Sequence, residues 1–219
     1  METKPTQRFY QFRGDKMMDT FGIRPVKQCS FLEEWLNAYT NLTDFEDQTL
    51  EAALIRYEKM GRGWNEEELK MHFISAVLNV ADPNIEGVCK TFFERPLDGI
   101  IGQYELHVIT DCMVATPKLG GSPDKPFFFL QEFKQAQLWG KTDPQGQMLA
   151  AMLLAQQQNA DGKCIYGCFV KENNWRFATL TGSDYCVSPQ FDSTKKPELL
   201  QIVYILRKLK ELILARVTP

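Results

Sequence analysis

The sequence predicts an α/β protein in which a mixed β-sheet is flanked by helices and preceded by a helical extension. Apolar runs or two-residue alternation, which are typical of strands, lie near residues 104–115, 126–134, 164–170 and 175–180. Helical periodicity lies near residues 66–80 and 144–158. Helices and strands are therefore interleaved along the chain, as in α/β folds. Further helical signals before residue 64 predict the extension.

The length of 219 residues suits one α/β domain with a substantial core and a helical extension. We predict an N-terminal arm and helical hairpin over residues 1–63, and an α/β core with a C-terminal helix over residues 64–219. With 44% hydrophobic residues, the chain is expected to fold rather than to remain disordered. The formal charge of −3 shows no basic excess of the kind that neutralises many phosphates.

Two capping signals predict the helical hairpin. Ser30 is followed three residues later by Glu33, and Thr43 is followed in the same way by Glu46. This is the pattern of a capping box, in which the hydroxyl and the carboxylate each accept a backbone N–H. Residues 1–28 are polar and mixed in character. We expect them to form a tail or a loosely packed arm.

Asn65 and the three glutamates after it predict the start of the next helix. Asparagine is a good N-cap, and acidic residues suit the positive end of the helix dipole. The start of a helix is therefore enough to account for the three glutamates, with Glu68 as a capping residue. Alternatively, one glutamate turns inward towards a functional site. Glu67 is our candidate because it shares a helix face with the apolar Met71 and Ile74.

The stretch from residue 100 to 115 is long enough for two strands, or for one strand with a bulge near Gly102. Residues 94–99 are expected to lead into the sheet. Asp111 lies in the apolar second half of this stretch. The Pro- and Gly-rich residues that follow predict a hairpin loop before the strand at 126–134.

Two charged residues end the most apolar strand. Residues 126–134 read Pro-Phe-Phe-Phe-Leu-Gln-Glu-Phe-Lys, so Glu132 and Lys134 share one face of the strand. Together with Asp111, they bring three charges to one part of the sheet. Such a group costs desolvation energy unless a cation compensates it. The alternative is a simple ion pair between Glu132 and Lys134 at a strand end.

Oxygen ligands are the ones that Mg²⁺ and Mn²⁺ prefer. Asp111 and Glu132 could hold one such ion together with the carbonyl oxygen of Phe133 and water molecules. Glu67 would add a contact through water. Lys134 would then steer an attacking water or help to deprotonate it.

This order of elements resembles the PD-(D/E)XK nuclease superfamily, which includes restriction endonucleases, RecB-like nucleases and Holliday-junction resolvases. In that family a helix precedes a strand with an Asp, then a strand with (Asp/Glu)-x-Lys, then another helix. The chain shows this order from about residue 64 to 180. The resemblance implies a restriction-endonuclease-like fold and a Mg²⁺ or Mn²⁺ cofactor. It also implies metal-dependent hydrolysis of phosphodiester bonds in nucleic acid, with DNA favoured over RNA.

The helix after the Glu-x-Lys strand supplies two more candidates. Asp143 as N-cap and Pro144 at the first position predict where it begins. Gln145 and Gln147 lie in its first turn. The resemblance implies that one of them turns back towards the metal or the scissile phosphate. The tyrosine that usually follows this glutamine by four residues is absent here.

The last helix is predicted from Pro197 onwards. It places Arg207, Lys208 and Lys210 in a local basic patch. Such a patch is usually a solvated face, and the alternative is a contact with a phosphate backbone.

The six cysteines have neither disulfide-framework nor metal-ligand spacing, so we expect reduced thiols. No stretch reaches membrane-spanning length. The first residues lack the apolar segment of a signal peptide. We therefore expect a cytoplasmic protein without a membrane partner.

Two classes of function remain open. The first is a metal-dependent phosphodiesterase that acts on nucleic acid. The second is a catalytically inactive protein of the same fold that serves as a binding or interaction module, which suits the absence of a basic excess. The chain has no Gly-rich phosphate loop, nucleotide fingerprint or Ser-centred elbow, so kinase, dehydrogenase and serine-hydrolase activities lack support.

Overall fold

The structure is a computed structural model that describes residues 7–134 and 142–218. It shows a mixed α/β architecture with one large sheet between two groups of helices. The helices are α1 (Gly14–Phe21), α2 (Ser30–Leu36), α3 (Asp44–Met60), α4 (Glu66–Leu69), α5 (Ser75–Ala81), α6 (Pro144–Asn159) and α7 (Lys196–Val217). The strands are β1 (Gln7–Arg8), β2 (Arg24–Pro25), β3 (Lys90–Ile101), β4 (Tyr104–Pro117), β5 (Pro123–Lys134), β6 (Ile165–Lys171), β7 (Asn174–Thr181), β8 (Asp184–Val187) and β9 (Phe191–Asp192).

All nine strands of the described residues form a single sheet in the order β1-β4-β5-β6-β7-β8-β2, with β3 paired to β4 and β9 paired to β7. The long strands β3, β4 and β5 pair antiparallel. Strands β5 and β6 pair parallel, as a crossover through α6 requires. The prediction of a mixed sheet flanked by helices is therefore confirmed.

Each face of the sheet carries its own buried cluster. On one face, α2, α3, α5 and α7 cover aromatic residues of the central strands. Trp35 of α2 is completely buried there, and its Nε1 donates to the carbonyl oxygen of Ile205 at 2.7 Å. On the other face, α6 and α1 cover a second cluster. Gly167 allows α6 to approach closely, since a Cβ at this position would lie 2.7 Å from Met152 Sδ.

Most local predictions agree with the structure. The predicted helix near 66–80 spans α4, a π-helical turn over Lys70–Ile74, and α5. The predicted helix near 144–158 is α6, and the four predicted strands are β4, β5, β6 and β7. Thr43 and Asn65 both form capping boxes, and Asp143 Oδ1 accepts the Gly146 N–H at 2.6 Å.

The predicted capping box at Ser30 is wrong. Cys29 occupies the cap position of α2, and no side-chain hydrogen bond caps this helix. Because α2 begins at Ser30 itself, the serine hydroxyl lies inside the first turn and not in front of its free N–H groups.

Within the described residues, the N-terminal segment is packed, contrary to the expectation of a loose arm. Strand β1 pairs with β4, and β2 pairs with β8. Phe9, Met17 and Ile23 are buried in the cluster under α6. Gly146 of α6 makes this contact possible, because a Cβ there would lie 2.3 Å from the carbonyl atoms of Phe12. Residues 1–6 of the predicted arm lie outside the described residues.

Strand β3 is not predicted by the sequence pattern, in which residues 94–99 are expected only to lead into the sheet. It pairs antiparallel with β4 over most of its length. A turn at Gly102, with φ of 61°, joins the two strands. Most β3 side chains are exposed or half-buried, so the strand lacks the apolar pattern of a buried one. Its backbone pairing with β4 holds it in the sheet.

Candidate functional site

Strands β4 and β5 bring Asp111 and Glu132 to the same part of the sheet. Cys112 pairs with Gln131, so Asp111 and Glu132 stand at the next position of this antiparallel register. Asp111 is 8% exposed and Glu132 only 1% exposed. The backbone N–H of Phe133 donates to Asp111 Oδ2 at 2.6 Å. Two carboxyl groups are therefore buried side by side.

Lys70 completes this group, although the sequence analysis missed it. Its Nζ lies 2.8 Å from Asp111 Oδ1 and 3.2 Å from Glu66 Oε1. It also lies 3.4 Å from a carboxylate oxygen of Glu67 and of Glu94. The i,i+4 spacing of Glu66 and Lys70 was the only local signal for this ion pair. The contact with Asp111 depends on how the helix packs on the sheet.

The environment keeps Lys70 charged. Burial alone lowers the pKa of this ammonium group, because burial disfavours the charged form. The hydrogen bond to Asp111 and the negative charges of Asp111 and Glu66 outweigh that effect. The pKa of Lys70 is therefore raised above its usual value. A full positive charge sits beside Asp111 at neutral pH.

Glu132 is shifted towards its protonated form. Burial raises the pKa of this carboxyl group well above its usual value, and the nearby charge of Asp111 raises it further. The charges of Lys134 and Lys70 act in the opposite direction without reversing the shift. Glu132 Oε1 is buried and finds no hydrogen-bond partner among residues 7–134 and 142–218.

Lys134 pairs with Glu66, and the alternative of a Glu132–Lys134 ion pair does not form. Lys134 Nζ lies 3.4 Å from Glu66 Oε1, which also forms an ion pair with Lys70. Glu66 thus links two lysines beside the carboxyl pair. The side chain of Glu67, the glutamate predicted to turn inward, is 76% exposed at the rim. Glu66, one helical turn before Lys70, is the glutamate of this run that contacts both lysines.

The two glutamines of α6 have different surroundings. Gln145 Nε2 donates to the Tyr185 hydroxyl at 3.2 Å, and its side chain also lies against Gly14. It thus faces the N-terminal segment and β8. Gln147 Oε1 is buried without a partner in the described part of the chain. No hydrogen bond joins either glutamine to Asp111 or Glu132 in that part.

Glu94 has an unusual backbone conformation, with φ of 49°. It lies between the pairs Phe93–Cys112 and Arg95–Thr110, at the position across from Asp111. A non-glycine residue in this left-handed region is uncommon, and such residues cluster at functional sites. The conformation places the exposed Glu94 carboxylate 3.4 Å from Lys70 Nζ.

The donor set of the site suits a divalent cation in part. Two buried carboxyl groups, with Glu132 Oε1 unpartnered among the described residues, offer the hard oxygen ligands that Mg²⁺ and Mn²⁺ prefer. Both oxygens of Asp111 are already hydrogen-bonded, to Lys70 and to Phe133 N–H. No group of three or more His, Cys, Asp or Glu residues in the described chain is arranged to hold a metal. The chemistry fits a two-carboxylate site, provided that Lys70 moves away from Asp111.

The basic patch of α7 is used within the fold. Arg207 donates to the Val80 carbonyl oxygen at 2.8 Å, and Lys208 donates to that of Asn37 at 3.0 Å. These carbonyl groups lie at the ends of α5 and α2, where cations are favourable. Lys210 pairs with Asp82. The structure thus favours a packing role for this patch over a phosphate contact.

The described cysteines are free, as expected from their spacing. All except Cys29 are buried. Burial raises the pKa of Cys164 to about 12, which keeps it an unreactive thiol.

In the part of the chain that the structure describes, no helix combines the length and the apolar character needed to span a bilayer. No protein-family model matches the chain, and no curated protein matches it significantly.

Proposed function

We propose that the protein has a restriction-endonuclease-like fold and is a metal-dependent nuclease of the PD-(D/E)XK type. It would hydrolyse phosphodiester bonds in nucleic acid, with DNA favoured over RNA. One observation supports this proposal above the others: Asp111 and Glu132 are buried beside each other on two neighbouring antiparallel strands. Two buried carboxyl groups repel each other when ionised, and a divalent cation would offset that repulsion.

The residues of the site would then have distinct roles. Asp111, Glu132 and the carbonyl group of Phe133 would hold Mg²⁺ or Mn²⁺, which supplies an activated water and offsets phosphate charge when bound. Lys134 would place its ammonium group near the reacting phosphate and stabilise its developing charge. Glu66 is a positioning residue, because it accepts a hydrogen bond from Lys134 and orients it.

A specific observation favours a second candidate, a catalytically inactive module of the same fold. The Lys70 ammonium group lies 2.8 Å from Asp111 Oδ1, where it compensates the buried charge without any metal. If Lys70 stays there permanently, it replaces the cation and the site serves only the fold. The protein would then act through binding, and its partner would contact another surface.

Cleavage assays distinguish the two functions. Single-stranded DNA, duplex DNA and RNA are incubated with the protein in Mn²⁺, in Mg²⁺ and in a chelator. We expect metal-dependent cleavage that falls about 100-fold or more in Lys134→Met, since one charge-stabilising group is lost. Lys171→Met is the matched control, because Lys171 pairs with Lys134 on the neighbouring strand but is exposed.

The control should cleave at the wild-type rate. Absence of cleavage of all three substrates by the wild-type protein, in either metal, would contradict the nuclease function and favour the module.

A further inference from the structure

An apolar cleft with a volume of about 330 Å³ opens beside Asp111. Its apolar lining consists of Met71, Ile74, Leu78, Phe93 and Phe133. Phe93 on β3 is 53% exposed, and Met71, which the helical side contributes to the lining, is exposed as well. The Phe93 ring is half exposed to solvent beside the cleft. An exposed apolar surface of this kind is available to a ligand. The volume lies at the lower end of the range for small-molecule sites.

The cleft is continuous with the candidate site. Asp111, Lys70 and Phe133 line the cleft, and the same three residues are joined by the hydrogen bonds of the candidate site. A flat apolar group in the cleft would therefore lie next to whatever the carboxylates and lysines bind. The Asn79 amide, also on the lining, offers a polar group for the edge of such a ligand.

The charges around the cleft restrict which kind of nucleic acid could bind there. Glu67 and Glu94 lie on its lining, and both carboxylates surround Lys70. The chain as a whole carries a net charge of −3. A rigid duplex presents a dense row of phosphates, which this acidic rim would repel. A single strand can place one phosphate near the lysines and turn its base away from the backbone, onto an aromatic platform.

We propose that this cleft binds one unpaired nucleobase of the substrate strand, stacked on Phe93. The substrate class is therefore single-stranded or frayed nucleic acid rather than intact duplex. This inference rests on the proposed function and narrows it. The neighbouring phosphate of the same strand would face Lys134 and Asp111, next to the end of the cleft.

The test measures binding without cleavage. Fluorescence anisotropy compares a short labelled oligothymidylate with a labelled hairpin duplex, both on the Glu132→Gln background. We expect tighter binding of the single strand, and Phe93→Ala should weaken it about tenfold or more, as expected for one lost stacking contact. Ile109→Ala is the matched control, because Ile109 is 51% exposed on β4 and does not line the cleft.

Both side chains are half exposed, so both variants should fold, and their melting temperatures check this. Three results would contradict the base-binding role of the cleft. Phe93→Ala could bind the single strand as tightly as the control does, the hairpin could bind as tightly as the single strand, or neither oligonucleotide could bind. Metal-dependent cleavage by the wild-type chain is measured separately. If the wild-type chain cleaves duplex DNA and Phe93→Ala cleaves it equally well, the base-binding role of the cleft is contradicted and the nuclease function is supported. If single-strand binding depends on Phe93 but no substrate is cleaved, the base-binding role is supported and the nuclease function is contradicted.

Discussion

Lys70 Nζ lies 2.8 Å from Asp111 Oδ1 and joins a helix to the sheet at the centre of the candidate site. The contact supplies a positive charge to a region where Asp111 and Glu132 are both buried. In a nuclease this ammonium group must give up its place beside Asp111 when a metal binds. In a non-catalytic module it would stay. The behaviour of Lys70 therefore separates the two proposed functions.

Lys70→Met removes the ammonium group and keeps most of the apolar stem. We expect the free energy of unfolding to fall by about 3 kcal/mol, because Asp111 is left buried without its cation. For a nuclease, Mn²⁺ should stabilise this variant more than the wild type, since no ammonium group competes with the metal. Urea unfolding with and without Mn²⁺ measures both effects.

Lys210→Met is the matched control for this variant. Lys210 pairs with Asp82 on the surface, so its loss should cost less than about 1 kcal/mol. A Lys70→Met protein that loses stability and gains nothing from Mn²⁺ would count against the metal site.

Glu132→Gln keeps the size of the side chain and removes its charge. Mn²⁺ should raise the melting temperature of the wild type, because a ligand of the folded state stabilises it by mass action. The variant should lose this shift. The metal-free variant should be as stable as the wild type or slightly more stable, since one of two repelling carboxyl groups is neutralised. A thermal shift assay measures these temperatures.

Glu86→Gln changes an exposed glutamate and should behave like the wild type. A metal-free Glu132→Gln protein that is weakened, with no Mn²⁺ effect in either version, would exclude the metal site.

The stability of the metal-free protein should depend on pH through Glu132. Burial raises the folded-state pKa of this group above its usual value of 4.5. The folded state therefore keeps a proton that the unfolded chain loses, and stability falls as pH rises between the two pKa values. This contribution is complete below pH 4.5 and is lost as pH rises through the folded pKa.

The advantage of Glu132→Gln over the wild type should accordingly grow as pH rises above 4.5. Urea titrations at a series of pH values in a chelator measure it. A difference that stays constant with pH would show that Glu132 does not titrate abnormally.

Thr43 and Ser30, the two residues predicted to cap the N-terminal helices, should contribute differently to the free energy of unfolding. Thr43→Ala removes a capping-box hydroxyl that accepts the Glu46 N–H, and we expect a loss of about 1 kcal/mol. Ser30→Ala removes a hydroxyl that does not cap α2, so the loss should stay within about 0.5 kcal/mol. Urea unfolding of both variants checks the difference. Equal losses would mean that Ser30 caps its helix after all.

Gly146→Ala should loosen the N-terminal segment from α6. The added methyl group would lie 2.3 Å from the Phe12 carbonyl carbon and oxygen, so the backbone must shift. We expect a loss of about 1–3 kcal/mol, together with faster proteolysis of residues 7–25. Gly120→Ala is the control, since its Cβ would meet no atom within 4 Å. Unchanged stability of Gly146→Ala would contradict the packed position of this segment.

The sequence by itself determined the features that depend on neighbouring residues. The capping boxes at Thr43 and Asn65 and the N-cap at Asp143 follow from side chains that bond to the next turn. The strands β4 to β7 follow from apolar patterns within each strand. The placement of Glu132 and Lys134 at the end of an apolar strand could also be predicted. All of these signals act over a few residues.

The tertiary structure alone decided which charges meet. Glu66, rather than Glu67, reaches Lys134, because that depends on how the helix is rotated against the sheet. The pairing of Lys70 with Asp111 joins residues from different elements, and no local pattern encodes their distance. The exposed strand β3 and the packed N-terminal segment owe their places to partners far along the chain. Long-range packing and strand pairing select these arrangements. Both bring together residues that are far apart in the sequence, so local sequence patterns do not predict them.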